Sequence, residues 1–368
     1  MSFYEVVSHY KNFDFEGFFS GVSSESVRQI LAKDNINDRD FLALLAPAAQ
    51  SHLEQMAEKA RRLSLNHFGK AVLLYAPIYI SNYCINRCAY CGFNHDNGIS
   101  RKKLSMEEIE KEARELSKTG IRHVLLLTGE SRKHSPADYI TEAACVLRKH
   151  FDSVTIEVSP LMLEEYVKAA KSGVDGVTIY QETYDEQVYD EVHISGPKKD
   201  YRFRLDTPER ACMANMRSVN VGALLGLSEN WRREAFMTGM HANYLQDKYA
   251  STEVSVSFPR IRPHAGVFER VSGVSDIQLV QTVLAMRLFM PHVSQNISTR
   301  EDADFRDNLI PLGINKFSAG SCTEVGGYSG EPATEAQFEI SDGRSVDEVC
   351  EAILAKGYQP LFKNWMSI

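Results

Sequence analysis

Three closely spaced cysteines are the residues of this 368-residue chain whose type and spacing best suit chemistry. Cys84, Cys88 and Cys91 are separated by four and three positions, and Tyr90 directly precedes the last of them. Three thiolates in one short segment can each bind one iron of a four-iron cluster, which leaves the fourth iron without a protein ligand. An iron that lacks a protein ligand can bind and activate another molecule. The spacing therefore predicts a reactive [4Fe-4S] cluster.

A structural zinc site is the alternative interpretation of the same segment. His95 follows Cys91 by four positions and could complete a tetrahedral site of three cysteines and one histidine. Zinc-binding cysteines commonly form separate C-x2-C pairs, whereas here a C-x3-C and a C-x2-C share Cys88. This spacing favours iron and sulfur over zinc.

The elements that must position this segment are predicted to be repeated strand and helix units. Residues 1–70 carry helical signals only, over 24–31, 37–45 and 47–63, which predicts a helical N-terminal extension. From residue 71 onward, short apolar runs alternate with amphipathic helices, the pattern of a parallel sheet. We expect an α/β fold in which residues 71–368 form a complete (β/α)8 TIM-type barrel with a short C-terminal tail, one structural domain overall. The predicted strands are 72–80, 123–128, 153–158, 176–180, 218–224, 253–258, 295–298 and 316–318.

Composition narrows the classes of function. The net charge of −8 at pH 7 argues against a general nucleic-acid surface and makes a small molecule the expected ligand. No apolar run approaches the roughly 20 residues that span a bilayer, and the first residues do not resemble a signal peptide. Seven cysteines, four of them scattered, do not have the pattern of a disulfide framework. We expect a cytoplasmic protein with no nucleic-acid or membrane partner.

Polar residues follow the predicted strands at the end where barrel enzymes perform chemistry. The carboxyl ends of all strands face one mouth of a barrel, so side chains placed there meet. One such residue alone could be a surface cap or a structural ion pair, but the repeated placement favours an active site. The residues are Gly129, Glu130, Glu157, Gln181, Glu182, Arg260, Arg262, Ser298 and Arg300.

The pattern C-x3-C-x-aromatic-C resembles the signature of the radical S-adenosylmethionine (SAM) enzymes. The resemblance implies that Cys84, Cys88 and Cys91 hold a [4Fe-4S] cluster, whose open iron binds the methionine part of SAM. Segment 128–130 is similar to the family's Gly-Gly-Glu segment, and segment 204–208 resembles one in biotin synthases whose arginine pairs with the cofactor carboxylate. The cofactor-binding residues expected on this basis are Tyr90, Gly129, Glu130, Glu157, Gln181, Glu182, Arg204 and Gly222.

Longer segments resemble one family of radical SAM enzymes, the 2-iminoacetate synthases. They are 180–184, 257–263, 298–301 and 318–328, and the similarity runs over nearly the whole chain. The resemblance implies a lyase of thiamine thiazole formation that cleaves the Cα–Cβ bond of L-tyrosine to 2-iminoacetate (dehydroglycine) and p-cresol, while SAM is reduced to 5′-deoxyadenosine and methionine. We expect Arg300 with Ser298 to anchor the tyrosine carboxylate. Arg260 and Arg262 could bind charge nearby or form a structural ion-pair network.

Other interpretations fit parts of the pattern. The tyrosine-cleaving maturase of iron-only hydrogenase resembles the chain through the barrel but has a second cysteine cluster, which this sequence does not show. Biotin synthases share the cofactor segments but not the segment around Arg300. A non-catalytic, zinc-stabilised scaffold belongs to a different class and leaves the polar strand ends unexplained.

The resemblance also implies protein partners, namely thiazole synthase and a flavodoxin or ferredoxin as electron donor. Arg101, Lys102 and Lys103 follow the cysteine segment, and Arg87 lies inside it, so this basic group could attract an acidic donor. The alternative is that these side chains are only solvated. Positive charge just ahead of a helix is unfavourable by roughly 0.3–1 kcal/mol, which suggests another reason for its presence.

Overall fold

The computed structural model of the chain describes residues 2–266, 268, 273–330 and 334–364. Residues 1 and 365–368, the ends of the predicted extension and tail, lie outside this range. The strands are β1 (Ala71–Ser81), β2 (Arg87–Cys88), β3 (His123–Thr128), β4 (Ser153–Glu157), β5 (Gly176–Glu182), β6 (His193–Ser195), β7 (Ser218–Ala223), β8 (Glu253–Ser257), β9 (Ser294–Ile297), β10 (Lys316–Ser318) and β11 (Gln359–Leu361).

Helices precede the barrel and alternate with its strands. They are α1 (Phe3–Tyr10), α2 (Phe15–Gly21), α3 (Ser24–Leu31), α4 (Asp38–Leu44), α5 (Leu53–Phe68), α6 (Met106–Ser117), α7 (Ala137–Leu147), α8 (Leu163–Lys171), α9 (Glu186–Val192), α10 (Tyr201–Leu205), α11 (Thr207–Met213), α12 (Trp231–Lys248), α13 (Asp276–Phe289), α14 (Ala303–Leu309) and α15 (Val346–Ala355). Short 3-10 helices span Pro47–His52, Pro197–Lys199 and Ile310–Leu312. Among the residues just described, no helix is both long and apolar enough to cross a membrane.

Eight parallel strands close into a barrel. Their order is β1, β3, β4, β5, β7, β8, β9 and β10, and β10 pairs in parallel with both β9 and β1. The last pairing closes the barrel, with Leu73 opposite Lys316 and Tyr75 opposite Ser318. The predicted complete (β/α)8 barrel is confirmed, and every predicted strand is present to within two residues at each end.

Three short strands were not predicted from the sequence. β11 extends the sheet beside the start of β1, where Ala71 pairs with Gln359. β2 and β6 form a separate antiparallel pair in which Cys88 lies opposite His193. This pair fastens the cysteine loop, residues 82–97, to the segment that follows β5.

The N-terminal helices pack on the outside of the barrel. α4 and α5 contact α13, and the ring of Phe41 stacks on that of Phe289 with 4.5 Å between centroids. The predicted helix over 47–63 is instead a 3-10 turn opened by Pro47 and followed by α5. α1 and α2 were not predicted, because each is short and shows few residues of a helical repeat. The boundary at residue 70 stays a prediction.

Candidate active site

A large cavity opens at the carboxyl ends of the barrel strands, between the cysteine loop and the C-terminal segment that carries Gln337 and Phe338. Its empty volume is about 1380 Å³, which includes space open to solvent. The predicted site residues that line it are Cys84, Cys88, Tyr90, Cys91, Gly129, Glu130, Glu157, Glu182, Arg204, Arg262, Ser298 and Arg300.

The guanidinium of Arg101 holds the cysteine loop in shape. Nη1 donates to the carbonyl oxygens of Asn82, at 2.7 Å, and Phe93, at 3.0 Å. Nη2 donates to the carbonyl oxygen of Asn94 at 2.6 Å. One side chain therefore ties the start of the loop to the turn beyond its last cysteine.

This arrangement changes the interpretation of the basic triplet. Lys102 Nζ lies 4.0 Å from a Glu108 carboxylate oxygen, and Lys103 Nζ lies 4.0 Å above the ring of Tyr139. Together with the loop contacts of Arg101, all three side chains have partners inside the protein. The triplet therefore has a structural reason to be present, apart from any contact with an electron donor.

The three thiols of the loop fit the ligand set of an iron–sulfur cluster. None of the three is in a disulfide. Burial raises the pKa of Cys84 to about 11 and also raises the pKa of Cys88 and of Cys91. Bound iron would supply the positive charge that favours the thiolate form of each cysteine. In a four-iron cluster, each of the three thiolates would bind a different iron.

The zinc alternative requires four side chains around one ion. Within the described ranges, no group of three or more His, Cys, Asp or Glu side chains is placed to hold a single metal ion. His95 is exposed, and its Nδ1 lies 3.4 Å from the carbonyl oxygen of Cys84 rather than beside a thiol. The structure thus does not form the Cys3His arrangement.

A buried charge network lies beside the thiols. The guanidinium of Arg204 reaches Glu130 Oε1 at 2.9 Å and Glu182 Oε1 at 3.3 Å. Lys198 Nζ lies 2.7 Å from Glu182 Oε1, and the Asn86 side chain donates to Glu130 Oε2 at 2.9 Å. Two carboxylates and two cations therefore balance each other in the cavity wall.

Burial and opposite charge compete in setting the pKa values of this network. Burial alone would raise the pKa of Glu182, but Lys198 and Arg204 together hold it below its usual value. Burial alone would lower the pKa of Arg204, but the two carboxylates raise it above its usual value. Glu182 and Arg204 therefore both stay charged near neutral pH.

Glu157 is the carboxyl group of the cavity that titrates nearest neutrality. Burial raises the pKa of Glu157 to about 7, the charge of Glu182 adds to this effect, and Arg300 opposes it. A carboxyl group with such a pKa can hold or release a proton at neutral pH.

The hydroxyl of Tyr90 is oriented by a buried histidine. His193 Nδ1 lies 2.7 Å from the carbonyl oxygen of Tyr189, so this nitrogen carries the hydrogen. His193 Nε2 then accepts from the Tyr90 hydroxyl at 2.7 Å. Burial, with the nearby charge of Lys198, lowers the pKa of His193 to about 3, which keeps the ring neutral. Tyr90 is thereby held against the cavity wall.

Two predicted cofactor residues do not line the cavity. Side chains alternate along β5, so Tyr180 and Glu182 face inward and Gln181 faces the other way. The side chain of Gln181 instead lies 3.5 Å from the carbonyl oxygen of Tyr201. Gly222 lies within the barrel wall, where an added Cβ would come within 2.4 Å of a carbonyl oxygen of β8. Gly222 therefore permits close strand packing.

The two arginines after β8 differ in position. Arg260 lies outside the cavity, with Nη1 2.7 Å from Asp276 Oδ1 and Nε 2.9 Å from Glu301 Oε1. These contacts match the structural ion-pair network named as its alternative. Arg262 lines the cavity and donates to the hydroxyl of Ser341.

Arg300 presents a charged group to the cavity. Its guanidinium carbon lies 3.5 Å from the centre of the Phe338 ring, and no carboxylate of the described residues forms a salt bridge with it. Its backbone N–H donates to Ser298 Oγ at 3.5 Å. Burial lowers the pKa of Arg300, which reflects a cation that lacks a close anionic partner.

Sequence reasoning missed several residues of the site. Lys198 and His193 lie in the long stretch between β5 and β7, and Gln337 and Phe338 lie downstream of β10. None of these belongs to a recognisable motif. The sequence does offer one signal for Lys198 and His193, which is the length of the stretch between β5 and β7. Connections in such units are usually short, and long ones often carry functional residues.

Comparisons with known proteins agree with this geometry. A model of the radical SAM superfamily matches residues 78–238, and a model of the biotin and thiamin synthesis associated domain matches residues 257–359. The curated 2-iminoacetate synthases of Salmonella typhimurium and Escherichia coli are 41% and 42% identical over 348 residues, which is 95% of this chain and 92% of each relative. A crystal structure of HydG, a maturase of the [FeFe]-hydrogenase, has a TM-score of 0.91 at 31% identity and covers 97% of this chain and 80% of that one.

Proposed function

The chain belongs to the 2-iminoacetate synthase family of radical SAM enzymes, and from this premise we propose which of its residues perform each part of the reaction. It is a carbon–carbon lyase of thiamine thiazole formation that cleaves L-tyrosine to 2-iminoacetate and p-cresol. Its cofactors are a [4Fe-4S] cluster and SAM. When bound, the cluster would give one electron to SAM, which would yield methionine and a 5′-deoxyadenosyl radical, and this radical would take a hydrogen from tyrosine to become 5′-deoxyadenosine.

Cys84, Cys88 and Cys91 hold the cluster in this proposal. The support is that the three thiols line one cavity, form no disulfide and share a loop whose carbonyl groups are tied together by Arg101. The exposed Cys145 lies away from that loop and takes no part.

Glu130 and Arg204 bind the amino acid part of SAM. They already form an ion pair at 2.9 Å in a largely buried site. A zwitterion that enters between them brings an ammonium for Glu130 and a carboxylate for Arg204, so both charges keep a partner. Lys198 Nζ lies 2.7 Å from Glu182 Oε1 and keeps this carboxyl group ionised. Glu182 can therefore accept hydrogen bonds from the ribose hydroxyl groups of SAM. Gly129 has no room for a side chain, since a Cβ would lie 2.5 Å from the Tyr83 carbonyl oxygen.

Arg300 anchors the carboxylate of tyrosine, with Ser298 beside it. The observation that carries this assignment is the guanidinium of Arg300, which shares a cavity with the three thiols and has no salt-bridge partner within the described ranges. A planar guanidinium recognises a carboxylate at two points. Arg262, held by Ser341 at the same mouth, adds positive charge near the substrate.

The hydrogenase-maturase interpretation has weaker support than the lyase of thiamine formation. Two solved HydG structures are 31% and 30% identical to this chain, whereas the 2-iminoacetate synthases are 41% and 42% identical. We therefore retain the lyase as the function and the maturase as the second candidate.

Thiazole synthase is the proposed acceptor of the product, since the imine of 2-iminoacetate hydrolyses readily in water and needs a nearby consumer. Flavodoxin or ferredoxin is the proposed electron donor. We place the protein in the cytoplasm, where free thiols and a reducible cluster persist.

The test is anaerobic incubation with SAM, dithionite and each aromatic amino acid in turn, followed by product analysis. Tyrosine should yield p-cresol, together with 5′-deoxyadenosine and methionine. The matched pair of variants is Cys88→Ala, which should yield none, and Cys145→Ala, which should behave as wild type. Cleavage of SAM without p-cresol from tyrosine would refute the lyase function, and iron-free protein from anaerobic preparations would refute the cluster.

A further inference from the structure

A segment far from the cysteines in sequence crosses the mouth of the cavity. We name residues 334–342 the mouth strap. At one end Glu335 accepts from the backbone N–H of Ser100, next to the cysteine loop, at 2.8 Å. At the other end the backbone N–H of Ser341 donates to the Thr299 carbonyl oxygen at 2.8 Å. The mouth strap therefore connects the cysteine side of the cavity to the Arg300 side.

Gln337, in the middle of the mouth strap, contacts the cysteine loop directly. Its Nε2 lies 3.9 Å from the sulfur of Cys91, within reach of an N–H···S hydrogen bond. Its Oε1 accepts from the hydroxyl of Tyr79 at 2.7 Å. Its backbone oxygen lies against Gly92, where an added Cβ would come within 2.4 Å of it. Gly92 thus allows the strap to lie flat on the loop.

We propose that Gln337 is a positioning residue that raises the reduction potential of the cluster by donating its side-chain N–H to the sulfur of Cys91. This inference rests on the proposed function, because it requires that Cys91 be a cluster ligand. It assigns a task to a residue that none of the sequence motifs includes.

The orientation of the amide follows from its other partner. In the structure the Tyr79 hydroxyl donates to the amide oxygen of Gln337, which leaves the NH2 group facing Cys91. Burial raises the pKa of Tyr79 well above its usual value, so the phenol keeps this hydrogen. A reversed amide would turn its oxygen toward the Cys91 sulfur, and a thiolate has no hydrogen to donate to that oxygen, so the observed orientation is the favoured one for a cluster-bound Cys91.

The backbone on both sides of Gln337 is also held. The N–H of Gln337 donates to the Thr323 carbonyl oxygen at 3.1 Å, and the Phe338 carbonyl oxygen accepts from the Thr323 hydroxyl at 3.2 Å. The ring of Phe338 packs under the Arg300 guanidinium at 3.5 Å. These contacts keep the donor at a constant place relative to the sulfur.

The electrostatic consequence has a definite sign. Reduction adds negative charge to a cluster and its thiolates, and a hydrogen bond donated to a sulfur stabilises that charge. Loss of the donor should therefore make the cluster harder to reduce. The cluster must receive an electron from an external donor before it can pass one to SAM. Its reduction potential therefore sets how readily that donor can reduce it.

The experiment is a redox titration of anaerobically reconstituted protein, followed by electron paramagnetic resonance without SAM or tyrosine. Gln337→Met removes both amide contacts at similar length, and Gln337→Glu keeps the acceptor for Tyr79 but replaces the donor. At the wild-type midpoint, each variant should hold about tenfold less reduced cluster relative to oxidised cluster, which corresponds to about 59 mV for one electron. Glu335→Ala, on the same strap, should stay within about twofold of wild type.

A change below about twofold in both Gln337 variants, or an increase, overturns the proposal. An equal decrease in Glu335→Ala also overturns it, because strap packing rather than the hydrogen bond would then set the potential. Iron and sulfide analysis of the same samples tests the presence of the cluster separately from the role of Gln337. Wild-type protein without a cluster contradicts the proposed function, whereas an intact cluster of unchanged potential contradicts only the role of Gln337.

Discussion

Replacing Arg101 by glutamine should loosen the cysteine loop while leaving the barrel folded. In the structure the Arg101 guanidinium donates to the carbonyl oxygens of Asn82, Phe93 and Asn94 at 2.7, 3.0 and 2.6 Å, with a longer contact of 3.4 Å to that of Asn97. A glutamine is shorter and has one NH2 group, so it cannot span both ends of the loop. The substitution therefore removes the link between the two ends of the cysteine loop and leaves the hydrophobic core of the barrel unchanged.

The size of the effect follows from these hydrogen bonds. A hydrogen bond from a charged donor contributes about 1.5–3 kcal/mol, and water replaces part of what is lost. We expect local opening of the loop to become easier by about 2–4 kcal/mol, without an equal change in global stability. At 1.4 kcal/mol for each factor of ten, the open state becomes about 30- to 700-fold more populated.

Hydrogen exchange of cluster-free protein, read by mass spectrometry on peptides that cover residues 83–97, measures this opening. The loss of iron to a chelator from the reconstituted protein should accelerate in parallel. Lys103→Gln is the matched control, since Lys103 belongs to the same basic triplet but contacts Tyr139 instead of the loop. Exchange in Arg101→Gln within about twofold of wild type, or equal acceleration in both variants, would refute the reasoning.

Three further outcomes can be measured. Cys88→Ala should lose cluster iron and SAM cleavage, whereas Cys212→Ala, which alters a buried thiol outside the cavity, should keep both in iron and product analyses. Arg300→Lys should weaken tyrosine binding by about one to two orders of magnitude through loss of a charge-assisted contact; unchanged affinity in calorimetry, as expected for the control Arg344→Lys, would make Arg300 structural. Burial raises the pKa of Glu234 to about 7, so the folded state retains a proton that the unfolded state loses above about pH 4.3, and this group alone should reduce stability by up to about 3 kcal/mol from pH 4.3 to 7. In urea unfolding, Glu234→Gln should lack this share of the wild-type pH dependence, and parallel pH profiles for both proteins would contradict it.

The barrel could be predicted from the sequence because its strands are local patterns. Runs such as Ala71–Ser81 and Ser218–Ala223 are largely apolar and mostly buried, so no distant information is needed to recognise them. β2, β6 and β11 are different, because each is two or three residues long and exists through its pairing partner. A strand defined by its partner leaves no periodic signal.

The same distinction applies to the site. Cys84, Glu130 and Arg204 belong to motifs or strand ends, so the sequence itself indicates them as candidates. Lys198 does not, because it lies in a 3-10 turn and reaches the site through contacts such as its ion pair with Glu182. Arg260 shows the opposite case. Its place after β8 predicts a side chain in the cavity, but its ion pairs with Glu301 and Asp276 hold the guanidinium outside it. Position along a strand predicts which mouth a residue is near, and only its partners decide where the side chain points.

Contacts within the cavity link the groups assigned to each component of the reaction. Asn86, in the cysteine loop, donates to Glu130, which pairs with Arg204, so the proposed SAM clamp contacts the loop of the cluster. Gln337 contacts Cys91, and the next residue supports Arg300, so the proposed substrate anchor is held by the same strap that touches the cluster. Because these contacts are shared, a change in any one of the three parts alters the surroundings of another.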